Sequence, residues 1–267
     1  MAPKGTILIT GLNGYLAGRV AEAVLEAGYR VRGTVRRLAT GLRVQAALIE
    51  LGYNKDLVEV IQVSDITQPR AFDEAALGCT AIIHAASPTD VSGTTDAAEV
   101  VRRAVSSTIA VLHSAEKAVD KLGSEAGALV GYAASKTAAE RAFWEFRDKQ
   151  KPGFALAAVQ ASLVWKIVAG EDIPDPLPIY DATIDVRDVA RVLVWAALHP
   201  KEADGERYMC SGATGGAQAI ADILNKHMPD LQVKRGNPGK GYKPDYADPE
   251  GVTAFDCSKA VEATGQG

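Results

Sequence analysis

Cysteine is scarce in this chain: Cys79, Cys210 and Cys257 are the three among 267 residues. Their number is odd, and they lie far apart in no metal-ligand spacing. That excludes a disulfide framework and a thiolate metal site, and it fits a reducing, cytoplasmic setting. Each reads as a small buried residue. Long apolar runs are missing too; none approaches the ~18 residues of a membrane span. The chain enters a strand within a few residues of its start, so no secretory leader is expected. Basic charge is not in excess, and a formal net charge of -4 argues against a nucleic-acid partner. What the chain has is apolar content, 47% of 267 residues, enough for one large α/β domain with a small annex.

The stretch from Thr6 to Gly18 organises the rest. An apolar β-forming run, Thr6 to Thr10, leads into Gly11-Leu12-Asn13-Gly14-Tyr15-Leu16-Ala17. Gly11 permits a tight turn, Gly14 removes a Cβ that would block a pyrophosphate, and Ala17 lets the following helix pack on the strand. That helix, about residues 14–27, presents free N–H groups and the positive end of its dipole to phosphates. Asn13, Tyr15 and Leu16 complete the turn as cofactor contacts. A glycine spacing alone is weak evidence; between a strand and a helix near the chain start it reads as a dinucleotide site.

A second strand, residues 29–35, ends at Arg36-Arg37, with Arg43 beyond. In a doubly wound sheet this end faces the adenosine ribose, where a carboxylate selects NAD and an arginine pairs with the extra phosphate of NADP. Asp and Glu are absent between Tyr29 and Ile49, so the charge points to NADP(H). A helix is expected over 42–51 and a third strand over 57–63. Asp65, with Ile66, either accepts from the adenine amine or caps a helix opened by Pro69. That helix is expected over 71–77, and a fourth strand over 80–86. Ala85, Ala86 and Ser87 at its end are small enough to lie against the cofactor, and His84 reads as a packed strand histidine. Further helices are expected at 94–120, 132–148, 185–199 and 217–227, with strands at 154–165 and 206–211. Prolines 174, 176 and 178 mark an irregular loop, and the tail from Gly236 is loop with a weak helix at 258–263. The fold class is therefore α/β, a doubly wound, mainly parallel Rossmann sheet with a small C-terminal substrate lobe. Residues 1–165 form the nucleotide domain. Residues 166–267 form most of the lobe, with about 180–200 returning to the core.

One element is short. Right-handed βαβ crossovers require a strand between the helices at 94–120 and 132–148, and residues 121–131 supply at best Ala128-Leu129-Val130. A full strand and its loop are expected to be missing here, and a loop again at Trp165-Lys166. Two readings stand: a sequence numbered straight through gaps, or a deletion form. The first is favoured, because losing a central strand exceeds the ~5–15 kcal/mol of net stability available to a domain.

Tyr132 and Lys136 stand four apart at the start of a helix, so phenol and ammonium share a face. A nearby cation favours the phenolate of a group whose ordinary pKa is about 10, letting Tyr132 exchange a proton with a carbonyl oxygen near neutral pH. Lys136 also reaches the nicotinamide ribose.

Together the stretches Thr10 to Ala17, Val31 to Arg36, His84 to Pro88, Tyr132 to Trp144 and Ile184 to Ala190 resemble the extended short-chain dehydrogenase/reductases. More narrowly, they are similar to the dihydroflavonol reductase, cinnamoyl-CoA reductase and fungal NADPH-dependent aldehyde (methylglyoxal) reductase group. The resemblance implies phosphate-binding roles for Gly11, Gly14 and Ala17, a 2′-phosphate role for Arg36 with Arg37 and Arg43 helping, and an adenine-side pair Asp65 and Ile66. It implies a catalytic pair Tyr132 and Lys136. Ala161, Ser162, Leu163 and Val164 fall near the nicotinamide amide, without the proline usual there. Asp185, Arg187 and Asp188 match a polar cluster joining the lobes. The family's serine or threonine before the Tyr-x-x-x-Lys helix has no clear counterpart; Ser124 lies in the interval without strand context.

The expected activity is NADPH-dependent reduction of a small aldehyde or ketone by a monomer or homodimer, with no metal and no membrane partner. The apolar residues Trp165, Ile167 and Ile179 weakly favour a hydrophobic or aromatic ketone. The rivals are a non-catalytic NADP-binding regulator or scaffold, which the absent serine strand would suit, and a nucleotide-sugar epimerase-like enzyme.

Overall fold

The computed structural model describes residues 2–86, 97–122, 129–131, 135–160, 182–214, 217–231, 233–240, 242–243 and 255–265. For 97–101, 115–122, 129–131, 135–138, 160, 182–183, 213–214 and 217 it describes the backbone alone.

The chain opens with β1 (Thr6–Thr10), α1 (Tyr15–Glu26), β2 (Arg30–Val35), α2 (Leu38–Glu50), β3 (Val58–Gln62), α3 (Asp73–Ala76) and β4 (Ala81–His84). It continues through α4 (Ala97–Leu122), β5 (Leu129–Gly131), α5 (Ser135–Gln150) and β6 (Leu156–Gln160). Then come β7 (Ala182–Thr183), α6 (Val186–Leu198), α7 (Pro200–Ala203), β8 (Arg207–Met209), β9 (Ala213–Thr214), α8 (Ala217–His227) and α9 (Ser258–Thr264). Seven strands form one sheet in the order β3-β2-β1-β4-β5-β6-β8, while β7 and β9 pair separately. The pairings from β3 across to β6 are parallel.

The chain divides into two compact units. One holds Met1–Gln160 and Val186–Tyr208; the other holds Ala161–Asp185 and Met209–Gly267. In the first, both faces of the sheet are covered, so Ile7, Leu8 and Ile9 of β1 are apolar in succession rather than alternating. Leu8, Ile82 and Leu156 face a core filled by Phe72, Ala75, Val111, Leu112, Phe143 and Phe146 from the α3, α4 and α5 side. Ile7 and Ile9 point to the other face, and both are buried. There Gly41 of α2 lets the helix approach β2 and β3 so closely that a Cβ on it would stand 2.4 Å from Val60 Cγ1.

Arg32 ties β2 to the end of α3. Its guanidinium donates to the carbonyls of Ala75 (3.0 Å) and Leu77 (2.5 Å), which are C-terminal carbonyls a four-residue helix cannot satisfy internally, and to Glu59 Oε2 (2.6 Å). Burial opposes the charge, but the Glu59 carboxylate outweighs it and the Arg32 pKa lies above its usual value. In the second unit, Asp222 and Gln218 of α8 hold the loop at 235–242. Gln218 accepts from Asn237 N (2.7 Å) and donates to Arg235 O (2.7 Å), and Asp222 accepts from Gly239 N (2.8 Å) and from the Tyr242 hydroxyl.

Three expectations change. The second helix starts at Leu38, not 42, because the Thr40 hydroxyl and N–H both close on the Arg37 carbonyl and make Arg37 the flanking residue. The region after Pro69 is a turn, with Arg70 at φ 65, and the helix waits until Asp73. The central strand expected to be missing is present in reduced form. Leu129–Gly131 occupies the slot between β4 and β6, pairing Leu129 with Ile82 and Leu156, and Val130 with Ile83 and Ala157. Helix α4 runs unbroken through Asp120 to Leu122.

Candidate active site

The crevice forms where β1 and β4 part company, at the carboxyl ends of the parallel strands. Gly11 leaves β1 at φ 71, a backbone region that side chains disfavour, and a Cβ on it would sit 3.0 Å from Ala86 Cα. Gly14 N donates to Gly11 O (2.8 Å) and closes the turn, and Leu12 N donates to Thr34 O (2.9 Å), pinning the turn to β2. Gly14 is the extended residue before α1, and a Cβ on it would meet only Gly11 O, at 3.1 Å. The space above the turn is therefore open. The first turn of α1 carries no acidic side chain to neutralise its N–H groups, and Ala17 is buried against the strand. Asn13 and Gly14 are exposed, Leu16 is half-buried, and Tyr15 is 76% exposed at the rim. This turn suits a pyrophosphate: Gly11 lets the chain pass close to Ala86, and Gly14 carries no side chain over the N-terminus of α1.

Arg36 and Arg37 are exposed in the bend between β2 and α2, and Arg43 is exposed on α2. Among the described residues, none of the three forms an ion pair. Asp65 lies exposed beyond β3. Its Oδ1 accepts from Thr67 N (2.9 Å) and the Thr67 hydroxyl (2.7 Å), and its Oδ2 from Gln68 Nε2 (2.8 Å). The Thr67 hydroxyl, the Gln68 amide and Thr67 N hold its pKa down at about 2. Asp65 thus caps its own turn rather than the helix that starts at Asp73, while Ile66 packs against the core.

Ala85 and Ala86 follow β4, and Ala86 faces the glycine turn through the Gly11 contact. Thr10, which the sequence did not single out, bonds to this segment. Its Oγ1 accepts from Ala86 N (3.0 Å) and lies 2.8 Å from His84 Nδ1. The signal for it is positional: Thr10 and His84 are register partners at the carboxyl ends of adjacent strands. His84 is buried and packs edge-on against Phe72, as a strand histidine.

Tyr132 and Ser87 lie outside the described residues, as do Ser124, Ala161, Ser162, Leu163 and Val164. Lys136 is the second residue of α5, and its side chain lies outside them too. Of the polar cluster, Asp188 accepts from Arg191 Nη1 (2.5 Å) one turn along α6. The described residues include no group of three or more metal-ligating side chains and no helix long and apolar enough to cross a membrane. None of the three cysteines forms a disulfide, and burial pushes the Cys79 thiol up to about 11.

A sequence profile of the NAD dependent epimerase/dehydratase family matches residues 7–124. A putative NADPH-dependent methylglyoxal reductase of Candida albicans is 26% identical, covering 90% of this chain and 88% of its own. A ketoreductase of Penicillium roqueforti is 27% identical over 85% of this chain and 82% of its own. The solved yeast methylglyoxal/isovaleraldehyde reductase complexed with NADPH superposes with a TM-score of 0.74 at 24% identity, over 98% of this chain and 93% of that one. Vestitone reductase of alfalfa gives 0.69 at 19% identity, over 97% and 92%. The strand order and the glycine turn agree with these likenesses: over residues 7–124 the chain is similar to the NAD dependent epimerase/dehydratase family, and over most of its length to curated reductases.

Proposed function

We propose that this protein is an NADPH-dependent carbonyl reductase that converts a small aldehyde or ketone to the alcohol. The observation that carries the reading is the pairing of the Gly11–Gly14 turn at the N-terminus of α1 with guanidinium groups at the end of β2 that form no ion pair among the described residues. The reductase names of the relatives support it.

In this reading the N–H groups of α1 and the glycine turn hold the pyrophosphate, and Arg36, helped by Arg37, pairs with the 2′-phosphate. Small side chains at Ala85, Ala86 and Ser87 leave room for the cofactor's flat rings. NADPH, when bound, supplies the hydride that reduces the carbonyl carbon. Tyr132 gives its phenolic proton to the carbonyl oxygen, and Lys136 lowers the pKa of that phenol and holds the ribose. Residues near Ala161, Leu163 and Val164 border the nicotinamide end.

The test is consumption of NADPH against NADH over a panel of aldehydes and aromatic ketones, with Tyr132→Phe as the comparison. The variant should lose about 10²- to 10⁴-fold in turnover, the usual worth of a positioned general acid, while binding NADPH as before. A Tyr132→Phe protein at full rate would remove the mechanism. A second reading, a protein that binds NADP(H) without chemistry, draws on β5, which ends at Gly131 directly before Tyr132 and leaves no interval for a serine or threonine between them. NADPH binding without turnover on any carbonyl tried would select it.

A further inference from the structure

Thr10 Oγ1 is the junction of a small polar chain in an otherwise apolar core. Thr10 is fully buried, at 0% exposure, and ends β1. Its hydroxyl has one proton and two lone pairs. One lone pair takes Ala86 N–H at 3.0 Å, and the other contact of the oxygen is His84 Nδ1 at 2.8 Å. If Nδ1 carried a proton, two donors would point into the oxygen of a fully buried residue and the hydroxyl proton would have no acceptor among the described residues, which folded proteins avoid. The hydroxyl therefore donates to Nδ1, and His84 is the neutral tautomer with its proton on Nε2. The chain has one direction: Ala86 N–H to Thr10, Thr10 O–H to His84.

That direction has a geometric result. The acceptor at Nδ1 fixes the rotation of the Thr10 hydroxyl, and so aims its free lone pair at Ala86. Ala86 in turn touches the place where Gly11 makes its left-handed turn. We propose that His84 is a positioning residue for the cofactor: through Thr10 it fixes the backbone after β4 against the glycine turn and so sets the width of the crevice. This rests on the reading that the crevice holds NADP(H). His84 itself needs no contact with the cofactor, and its edge-on packing on Phe72 (82° between rings) keeps the imidazole plane fixed for the task.

The experiment measures the NADPH dissociation constant by fluorescence for the wild type, Thr10→Val, His84→Phe, His84→Asn and the Thr10→Val/His84→Phe double variant, with thermal melts alongside. The valine and phenylalanine variants should each bind NADPH about tenfold more weakly. The double variant should be no weaker than either single one, because both break the same chain. Asparagine presents an amide oxygen near the Nδ1 position and should restore binding to within about twofold. In steady-state assays the loss should fall on KM for NADPH rather than on kcat. The imidazole nitrogen shifts of the wild type should report the tautomer protonated on Nε2, a readout that needs neither a variant nor activity. Unchanged binding in Thr10→Val and His84→Phe, binding in His84→Asn as weak as in His84→Phe, or a proton on Nδ1 each overturn the relay. Wild-type protein that binds no NADPH overturns the reading of the crevice itself, a different result from wild-type binding with indifferent variants.

Discussion

Leu12 lies directly over Gly33, and no β-carbon fits between them. One built on Gly33 would stand 2.3 Å from Leu12 Cδ2 and 2.8 Å from its Cβ. Leu12 is fully buried, so it has nowhere to retreat. We expect Gly33→Ala to lower stability by about 1–3 kcal/mol, the range for overpacking a filled core, as read by urea denaturation. Because Leu12 is part of the glycine turn, the same variant should bind NADPH more weakly than its loss of stability alone explains.

Arg36 is expected to set cofactor choice. Removing a charge-assisted hydrogen bond worth about 1.5–3 kcal/mol with Arg36→Ala should raise KM for NADPH about 10- to 100-fold. KM for NADH should move by no more than about twofold, since that cofactor has no 2′-phosphate to lose. The ratio of the two, measured with one carbonyl substrate, checks the assignment.

Asp65 offers a pH marker. Its folded pKa, about 2, lies below the ordinary carboxylate value of about 3.9. The ionised form is thus the one the folded turn favours. Its contribution is complete above about pH 4 and is lost as the pH falls through the window from about 4 to about 2. Carbon NMR of the side-chain carboxyl should show that low midpoint, and Thr67→Ala should move it upward, since the Thr67 hydroxyl is the largest cause.

Cysteine reactivity should follow burial. Cys79 is buried beside Arg32 and titrates near 11, so at neutral pH it is a protonated, inaccessible thiol. A thiol reagent added to native protein should label Cys257, which is partly exposed, well before Cys79 or Cys210. Denaturation should release all three.

Elements with local signals were readable from sequence. The glycine turn and α8 follow from glycine spacing and apolar period, and they sit where that reasoning puts them. What escaped depends on partners distant along the chain. Thr40 recruits Arg37 into the start of α2 through a backbone carbonyl, which no apolar pattern encodes. The three-residue strand β5 has too few residues to show a period, and its neighbours β4 and β6 recruit it into the sheet. Thr10 reads as an ordinary strand threonine until the register sets it opposite His84. The proposed pair Tyr132 and Lys136 rests on its spacing and its place after the nucleotide fingerprint, and both side chains lie outside the described residues.

The narrow β5 gives this sheet an isthmus. To one side lie β3, β2, β1 and β4; to the other, β6 and β8. Among the described residues, the ladder between them runs through Leu129–Gly131. Leu129 and Val130 are each paired on both sides, so Val130→Pro, which leaves no N–H to give, would disturb both ladders at once.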